Sequence, residues 1–130
     1  MSELKVTTLS NQSGVTVPVD TVISGTAKAW VNFNGTGTVA IRRAFNVSSI
    51  TDGGVGLYTV NLTTAMADVN YSPVVVASPI YAGGSSYVNL YSNSATTEVT
   101  PTTSAFTLRC GYSSSGAAED LKYISVAIFS

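Results

Sequence analysis

Histidine is absent from the 130-residue sequence, and charged side chains make up only 10% of it. Without histidine the chain lacks both an imidazole general base and the commonest metal ligand. An average soluble domain carries roughly 25% charged residues, so this chain is poor in charge of either sign. The net charge is −1. No basic excess is available to neutralise phosphates, and we expect no nucleic-acid partner.

Cysteine and long hydrophobic runs are also scarce. The one cysteine, Cys110, cannot form an internal disulfide, and its alternation with Phe106 and Leu108 predicts a small buried hydrophobe. The N-terminus lacks the apolar stretch of a signal peptide, and the longest aliphatic run is Val74–Ala77. We therefore expect synthesis in the cytoplasm without a signal peptide, and no membrane insertion.

What the sequence does contain is β-strand pattern. Period-two alternation recurs, whereas no stretch longer than about eight residues keeps a helical period. Residues 27–33 lead through Asn34-Gly35 into residues 38–45, which is the strongest short-range hairpin signal. Residues 74–80 are mostly apolar and predict a strand buried on both faces. The pattern predicts an all-β fold, an antiparallel, jelly-roll-like β-sandwich.

The chain divides into two predicted parts. Residues 1–25 predict an extended N-terminal arm or docking strand, and residues 26–130 the sandwich domain. In the arm, Leu4–Thr8 and Val15–Ile23 read as β-branched segments that a polar turn separates. Pro18 is unsuited to a central strand, because proline cannot donate to the sheet ladder.

Catalytic chemistry is disfavoured by the residues present. The seven acids lie far apart along the chain, and no local pattern pairs two of them for hydrolysis. Serine nucleophiles have no adjacent general base. Asp52 and Asp68 are possible calcium ligands, but no loop has the spacing of a dedicated cage. We therefore predict no enzyme activity, no catalytic residues, no metal and no cofactor.

Two strands carry candidate binding or contact residues. Tyr87, Asn89 and Tyr91 alternate with Val88 and Leu90, so they are predicted to share an open face. Tyrosine and asparagine on an open face are typical of a binding surface, although a decorated sandwich face or a subunit contact has the same composition. In the hairpin, Trp30 alternates with Ala29 and Val31 and predicts a core anchor, a subunit contact or a ligand platform.

The composition also predicts self-association. The mean hydropathy is +0.29 with few charges, so some faces are expected to be shared between copies. Lysines that would protect sheet edges are few as well. Trp30, Arg43 and Phe129 are the predicted subunit contacts, from their size and ambiguous facing. Arg42 and Arg43 are expected to point to opposite faces of their strand.

The run AKAWVNFNGTG at residues 27–37, followed by Val39–Arg42 and Phe45–Ile50, resembles a run in tail-fibre-like proteins of tailed bacteriophages. Tyr58–Met66, Asn70–Ser72 and Val126–Phe129 are similar to later parts of that family, so the resemblance covers roughly residues 26–130. It implies a virion structural protein with a β-sandwich tip, usually trimeric, that projects from a tail or capsid.

Three functions from different classes stay open. The first is a non-enzymatic phage virion protein, either a tail fibre or receptor-binding tip or a head decoration or capsid fibre protein. Its partners would be itself, other virion proteins and a host surface glycan, and its location the tail or capsid surface. The second is a free carbohydrate-binding module that uses the Tyr87 face. The third is an enzyme such as a depolymerase, which the acid and histidine counts disfavour.

Overall fold

Ten strands and one short helix make up the computed structural model, which describes residues 2–78, 84–93 and 97–130. In chain order the elements are β1 (Thr8–Ser10), β2 (Thr16–Pro18), α1 (Val19–Gly25), β3 (Ala29–Asn34), β4 (Ala40–Phe45), β5 (Val47–Gly54), β6 (Leu57–Leu62), β7 (Ser72–Ala77), β8 (Ser86–Leu90), β9 (Ala105–Tyr112) and β10 (Ile124–Phe129). Strands β1 and β2 form a small hairpin.

The other eight strands form two four-stranded sheets, and every pairing in them is antiparallel. Sheet I has the strand order β4-β3-β10-β7, and sheet II has the order β5-β6-β9-β8. The two sheets pack on each other as an antiparallel β-sandwich, which confirms the predicted fold class. The predicted hairpin at Asn34-Gly35 is confirmed as the β3–β4 pair.

The core lies between the two central strands of each sheet. Alternate residues of β3 and β10 meet alternate residues of β6 and β9, because successive strand residues point to opposite faces. Cys110 is completely buried there, as predicted for a small hydrophobe. The buried residues from these four strands are Ala29, Val31, Phe33, Tyr58, Val60, Leu62, Phe106, Leu108, Cys110, Ile124, Val126 and Ile128.

The valine run at residues 74–77 is buried on one face only, so the predicted double burial is wrong. Strand β7 is the edge of sheet I, with exposed and half-buried residues in alternation. Val74 is 53% exposed and Val76 is 68% exposed. Residues 79–80 of the predicted strand lie outside the described residues. The apolar side chains on the second face of β7 are therefore uncovered in the single chain.

Residues 2–26 contribute nothing to the buried core. The predicted strand Val15–Ile23 is wrong beyond Pro18, where β2 ends and α1 begins. Proline suits the start of a helix, because the first backbone amides of a helix need no partner within it. Asp20 in the first turn adds a favourable charge near the helix N-terminus. Among the described residues, no helix has the length and apolar character needed to span a membrane.

Tyr58 joins the two sheets inside the core. Its ring meets the ring of Phe33 edge to face, with centroids 5.3 Å apart. Its hydroxyl donates to Oδ1 of Asp120 at 2.7 Å and lies 3.1 Å from the carbonyl oxygen of Gly35. A side chain at Gly35 would collide with this hydroxyl and with the Leu121 carbonyl, so only glycine fits the turn.

The Asp120 carboxylate also accepts a second hydrogen bond. Oδ1 of Asp120 accepts a hydrogen bond from the backbone amide of Gly56 at 2.7 Å. Burial, and then the hydrogen bond to Asp120, raises the pKa of Tyr58 well above its ordinary value. The hydroxyl of Tyr58 therefore stays protonated in the core, and Asp120 links it to the β5–β6 turn.

We predict that Asp120→Ala lowers the free energy of unfolding by about 1–3 kcal/mol, because it removes the acceptor of the Gly56 amide and leaves the Tyr58 hydroxyl only the longer contact with the Gly35 carbonyl. Glu119→Ala is the matched control. Its side chain is exposed and makes no hydrogen bond among the described residues, so its effect should stay within about 0.5 kcal/mol. Urea denaturation measures both changes, and equal losses would contradict the structural role of Asp120.

Stability should also fall in alkali. Burial raises the pKa of Cys110 from its ordinary value of 9.0 to about 12, and the pKa of Tyr58 is raised as well. Between the unfolded and folded pKa values the native state holds more protons than the unfolded state, so stability decreases as pH rises. We expect a free energy of unfolding that is full below about pH 9 and declines above it. Denaturation at several pH values should give Cys110→Ala a shallower decline, and an unchanged slope would contradict this cause.

Candidate functional site

An apolar row crosses the outer face of sheet I, the face turned away from the core. Phe45 lies opposite Trp30, Trp30 opposite Ala127, and Ala127 opposite Val74. Residues directly opposite in a sheet share a face, so these four side chains form one continuous line across all four strands. Phe45 is 55% exposed and Trp30 is half-buried. We call this line the apolar row.

A second, mixed row lies beside the apolar row. Arg43 is opposite Asn32, Asn32 opposite Ser125, and Ser125 opposite Val76. The Asn32 amide donates to the Ser125 hydroxyl at 2.7 Å. The outer face therefore combines exposed valine and aromatic side chains with hydrogen-bonding groups and a cation, a composition typical of protein interfaces.

Both arginines of β4 belong to this outer face, so the expectation that they point to opposite faces is wrong. A β-bulge makes Arg42 an extra residue between the Asn32–Arg43 and Phe33–Ile41 pairs. A bulge resets the alternation of side chains, which sequence periodicity cannot detect. The guanidinium of Arg42 contacts Asn32 and lies 4.2 Å from the centroid of the Tyr123 ring.

Arg42 also donates to the Lys122 carbonyl at 2.6 Å, so it is held in place by the chain itself. Arg43 differs. Its side chain is exposed, and no hydrogen bond or ion pair joins that side chain to another residue of the described chain. Arg42 is thus fixed by contacts within the chain, whereas the positive charge of Arg43 is accessible to a partner.

The three predicted subunit-contact residues, Trp30, Arg43 and Phe129, lie on this one outer face. Trp30 is in the apolar row, Arg43 in the second row, and Phe129 opposite Ser72 at the end of β10. Their contact role stays a prediction. Sequence reasoning missed Phe45 and Val74, although the unbroken valine run carried a signal for the latter.

Two of the three residues predicted to share the tyrosine face do so. Tyr87 and Asn89 point away from the core as expected, opposite Gly111 and Arg109. The Tyr87 hydroxyl donates to the Gly116 carbonyl at 3.1 Å, and the Arg109 guanidinium lies 5.3 Å from the ring centroid. Asn89 is exposed. Tyr87 is therefore partly engaged by the chain, and Asn89 is the more accessible group.

Tyr91 leaves this face, which corrects the predicted alternation. Its φ is 56°, the left-handed region that strand geometry does not use, so the chain turns there. The ring packs edge to face on Phe106, with centroids 6.3 Å apart, and burial raises the pKa of Tyr91. Tyr91 is thus mainly a packing residue at the edge of the core.

An open groove of about 470 Å³ runs beside β8. It offers amide, hydroxyl and carboxylate groups, which suit hydrogen bonding to a polar, uncharged ligand such as a glycan. Its lining residues are Val88, Asn89, Leu90, Tyr91, Ser92, Thr97 and Glu98. The groove therefore keeps Asn89 and Tyr91 as binding candidates, although the two side chains have different surroundings.

Neither predicted calcium-ligand candidate belongs to a cluster. Asp52 accepts a hydrogen bond from the Gly54 amide at 2.9 Å, and Asp68 accepts one from the Asn70 amide at 2.7 Å. Both are local turn contacts. Within residues 2–78, 84–93 and 97–130, no group of three or more histidine, cysteine or acidic side chains is placed to hold a metal ion.

The chain is thus an all-β sandwich with an exposed apolar row on sheet I and an open groove beside β8. No family model, curated protein or solved structure matches the chain. Its function has to be argued from the residues themselves.

Alanine substitutions at Tyr87 and Tyr91 should differ in their effect on stability. We expect Tyr91→Ala to lower the free energy of unfolding by about 2–4 kcal/mol, because it removes an aromatic contact with the core. Tyr87→Ala should cost only about 1 kcal/mol, the range of one hydrogen bond. Chemical denaturation measures both, and a larger loss for Tyr87→Ala would overturn this assignment.

Proposed function

We propose that the protein is a non-enzymatic structural protein of a bacteriophage virion, of the tail-fibre or receptor-binding-tip type, which works as a homo-oligomer. The apolar row is the observation that carries this proposal. A lone sandwich leaves Phe45 and Val74, in the same row as Trp30, more than half exposed to water. A contiguous exposed apolar patch with polar surroundings is typical of a surface that binds protein.

The segment with the phage resemblance supports the same interpretation. Residues 27–50 form β3, β4 and the start of β5, and they supply Trp30, Arg43 and Phe45 to the outer face. The residues that resemble a virion protein are therefore also those that make this domain suited to assembly. The resemblance suggests three copies. A head decoration or capsid fibre protein would use the same interface, and antibody labelling of purified virions distinguishes tail from head.

A free carbohydrate-binding module is the second candidate. The groove beside β8 favours it, since Asn89 and Glu98 line a volume of about 470 Å³ that is open to solvent. Such a module would bind glycan as a monomer. In a virion protein the same groove would instead serve attachment to a host surface glycan.

Light scattering on the purified protein tests self-association. We expect a mass near 40 kDa, three times the 13.4 kDa of one chain. Val74→Glu should reduce this mass toward that of one chain, because it places a carboxylate in the middle of a buried apolar contact. The unfolding transition of the sandwich should change little, since Val74 points away from the core.

Val55→Glu is the matched control. Val55 is 60% exposed but lies in the β5–β6 turn of sheet II, away from the apolar row. It should leave the mass unchanged. A mass near 13.4 kDa at every concentration for the unsubstituted protein would contradict self-association and favour the monomeric binding module.

A further inference from the structure

The N-terminal segment of the chain carries a second exposed apolar surface. Residues 2–26, which we call the arm, contain the β1–β2 hairpin and α1, and none of them is buried. Six large hydrophobic side chains of the arm are exposed: Leu4, Val6, Leu9, Val15, Val22 and Ile23. The arm and the outer face of sheet I are thus two apolar surfaces of one chain, and neither is covered.

The arm is unsuited to stand alone in water. A single two-stranded hairpin is marginally stable at best, and three or more strands or a packing surface are normally needed. A seven-residue helix such as α1 is also far below the roughly 12–15 residues at which isolated helices become stable. The arm therefore needs a partner surface on which its apolar side chains are buried.

The arm does not use its own sandwich for this purpose. The Lys28 ammonium donates to the Ile23 carbonyl, and the Thr26 hydroxyl donates to the Val22 carbonyl at 2.5 Å. Both contacts lie within the junction between α1 and β3, while Phe45 and Val74 stay exposed. In the single chain, then, the arm leaves the apolar row open.

Charge favours the arm as the occupant of the outer face. The arm holds Glu3, Lys5 and Asp20, and Glu3 already lies 3.6 Å from Lys5, which leaves Asp20 as the acid without an ion pair in the described chain. Sheet I has the opposite character, since its four strands contain no acid and carry Arg42 and Arg43. Two outer faces packed on each other would bring four arginines together, which like-charge repulsion disfavours.

We propose that the arm of one copy lies on the outer face of sheet I of a neighbouring copy, with its apolar side chains on the apolar row and Asp20 near Arg43. The inference rests on the self-association proposed above and names the surfaces that carry it. An arm exchanged in this way gives each copy a covered sheet face and gives each arm the packing surface it lacks.

Cross-linking between two proteins that each carry one introduced cysteine tests the arrangement in the full chain. Ile23→Cys and Val74→Cys are co-expressed, one with a size tag, and treated with a flexible bis-maleimide. The natural Cys110 does not interfere, because it is fully buried. We expect a product that joins the tagged and untagged chains. Val55→Cys in place of Val74→Cys is the matched control and should give none.

A charge exchange provides a second test. Asp20→Lys and Arg43→Asp should each weaken association by about two- to five-fold, the range of an exposed ion pair. The double substitution should restore most of the affinity. Asp68→Lys is the control, since Asp68 makes only a local turn contact, and it should leave association unchanged.

The outcomes separate this inference from the proposed function. An oligomer that gives no mixed product, or whose affinity the double charge exchange does not restore, overturns the arm placement while self-association stands. A cross-link found only within a chain that carries both Ile23→Cys and Val74→Cys shows the chain's own arm on the face and also overturns it. A protein that is monomeric at every concentration overturns both.

Discussion

The contact between Tyr58 and Asp120 is the constraint on which the sandwich depends. One aromatic side chain spans the core from sheet II to the Phe33 ring of sheet I, and its hydroxyl reaches a carboxylate in the segment before β10. The buried hydroxyl needs an acceptor, because an unpaired polar group in the core costs free energy. The same carboxylate holds the Gly56 amide. Sheet spacing, the β5–β6 turn and the approach to β10 are therefore set together.

Once that core is formed, the facing of most strands follows from alternation, and the sequence predicts it well. Ala29, Val31 and Phe33 are buried, and Trp30 lies on the other face, as the period-two pattern requires. The Asn34-Gly35 turn fixes the hairpin, since the close contact of Gly35 with Tyr58 admits no side chain. The alternation and the Asn-Gly turn are local signals, so a single sequence is sufficient to predict them, whereas the contact of Gly35 with Tyr58 is seen only in the structure.

The sequence predictions are wrong where the direction of a side chain does not follow from its odd or even position along a strand. The bulge at Arg42 puts two consecutive arginines on one face, and the left-handed backbone at Tyr91 turns a predicted surface residue toward the core. In the arm, Pro18 ends one element and begins another. Each of these is a break in regular geometry at a single residue, and alternation cannot anticipate it. Trp30, Arg43 and Phe129 lie on one face, and the sequence pattern did not identify Phe45 and Val74, which lie on the same face.

The outer face of sheet I is open to solvent, yet β7 places apolar side chains on it. A sheet that is covered on both sides reads as a continuous apolar run, whereas a solvated outer face needs polar side chains. Val74 and Val76 satisfy the first description, although in the single chain they are exposed. The sequence of β7 thus resembles that of a strand covered on both sides, whereas its outer face is exposed in the single chain. The arm, rich in apolar side chains and without a buried residue of its own, is the segment that we propose as the cover of this face in a neighbouring copy.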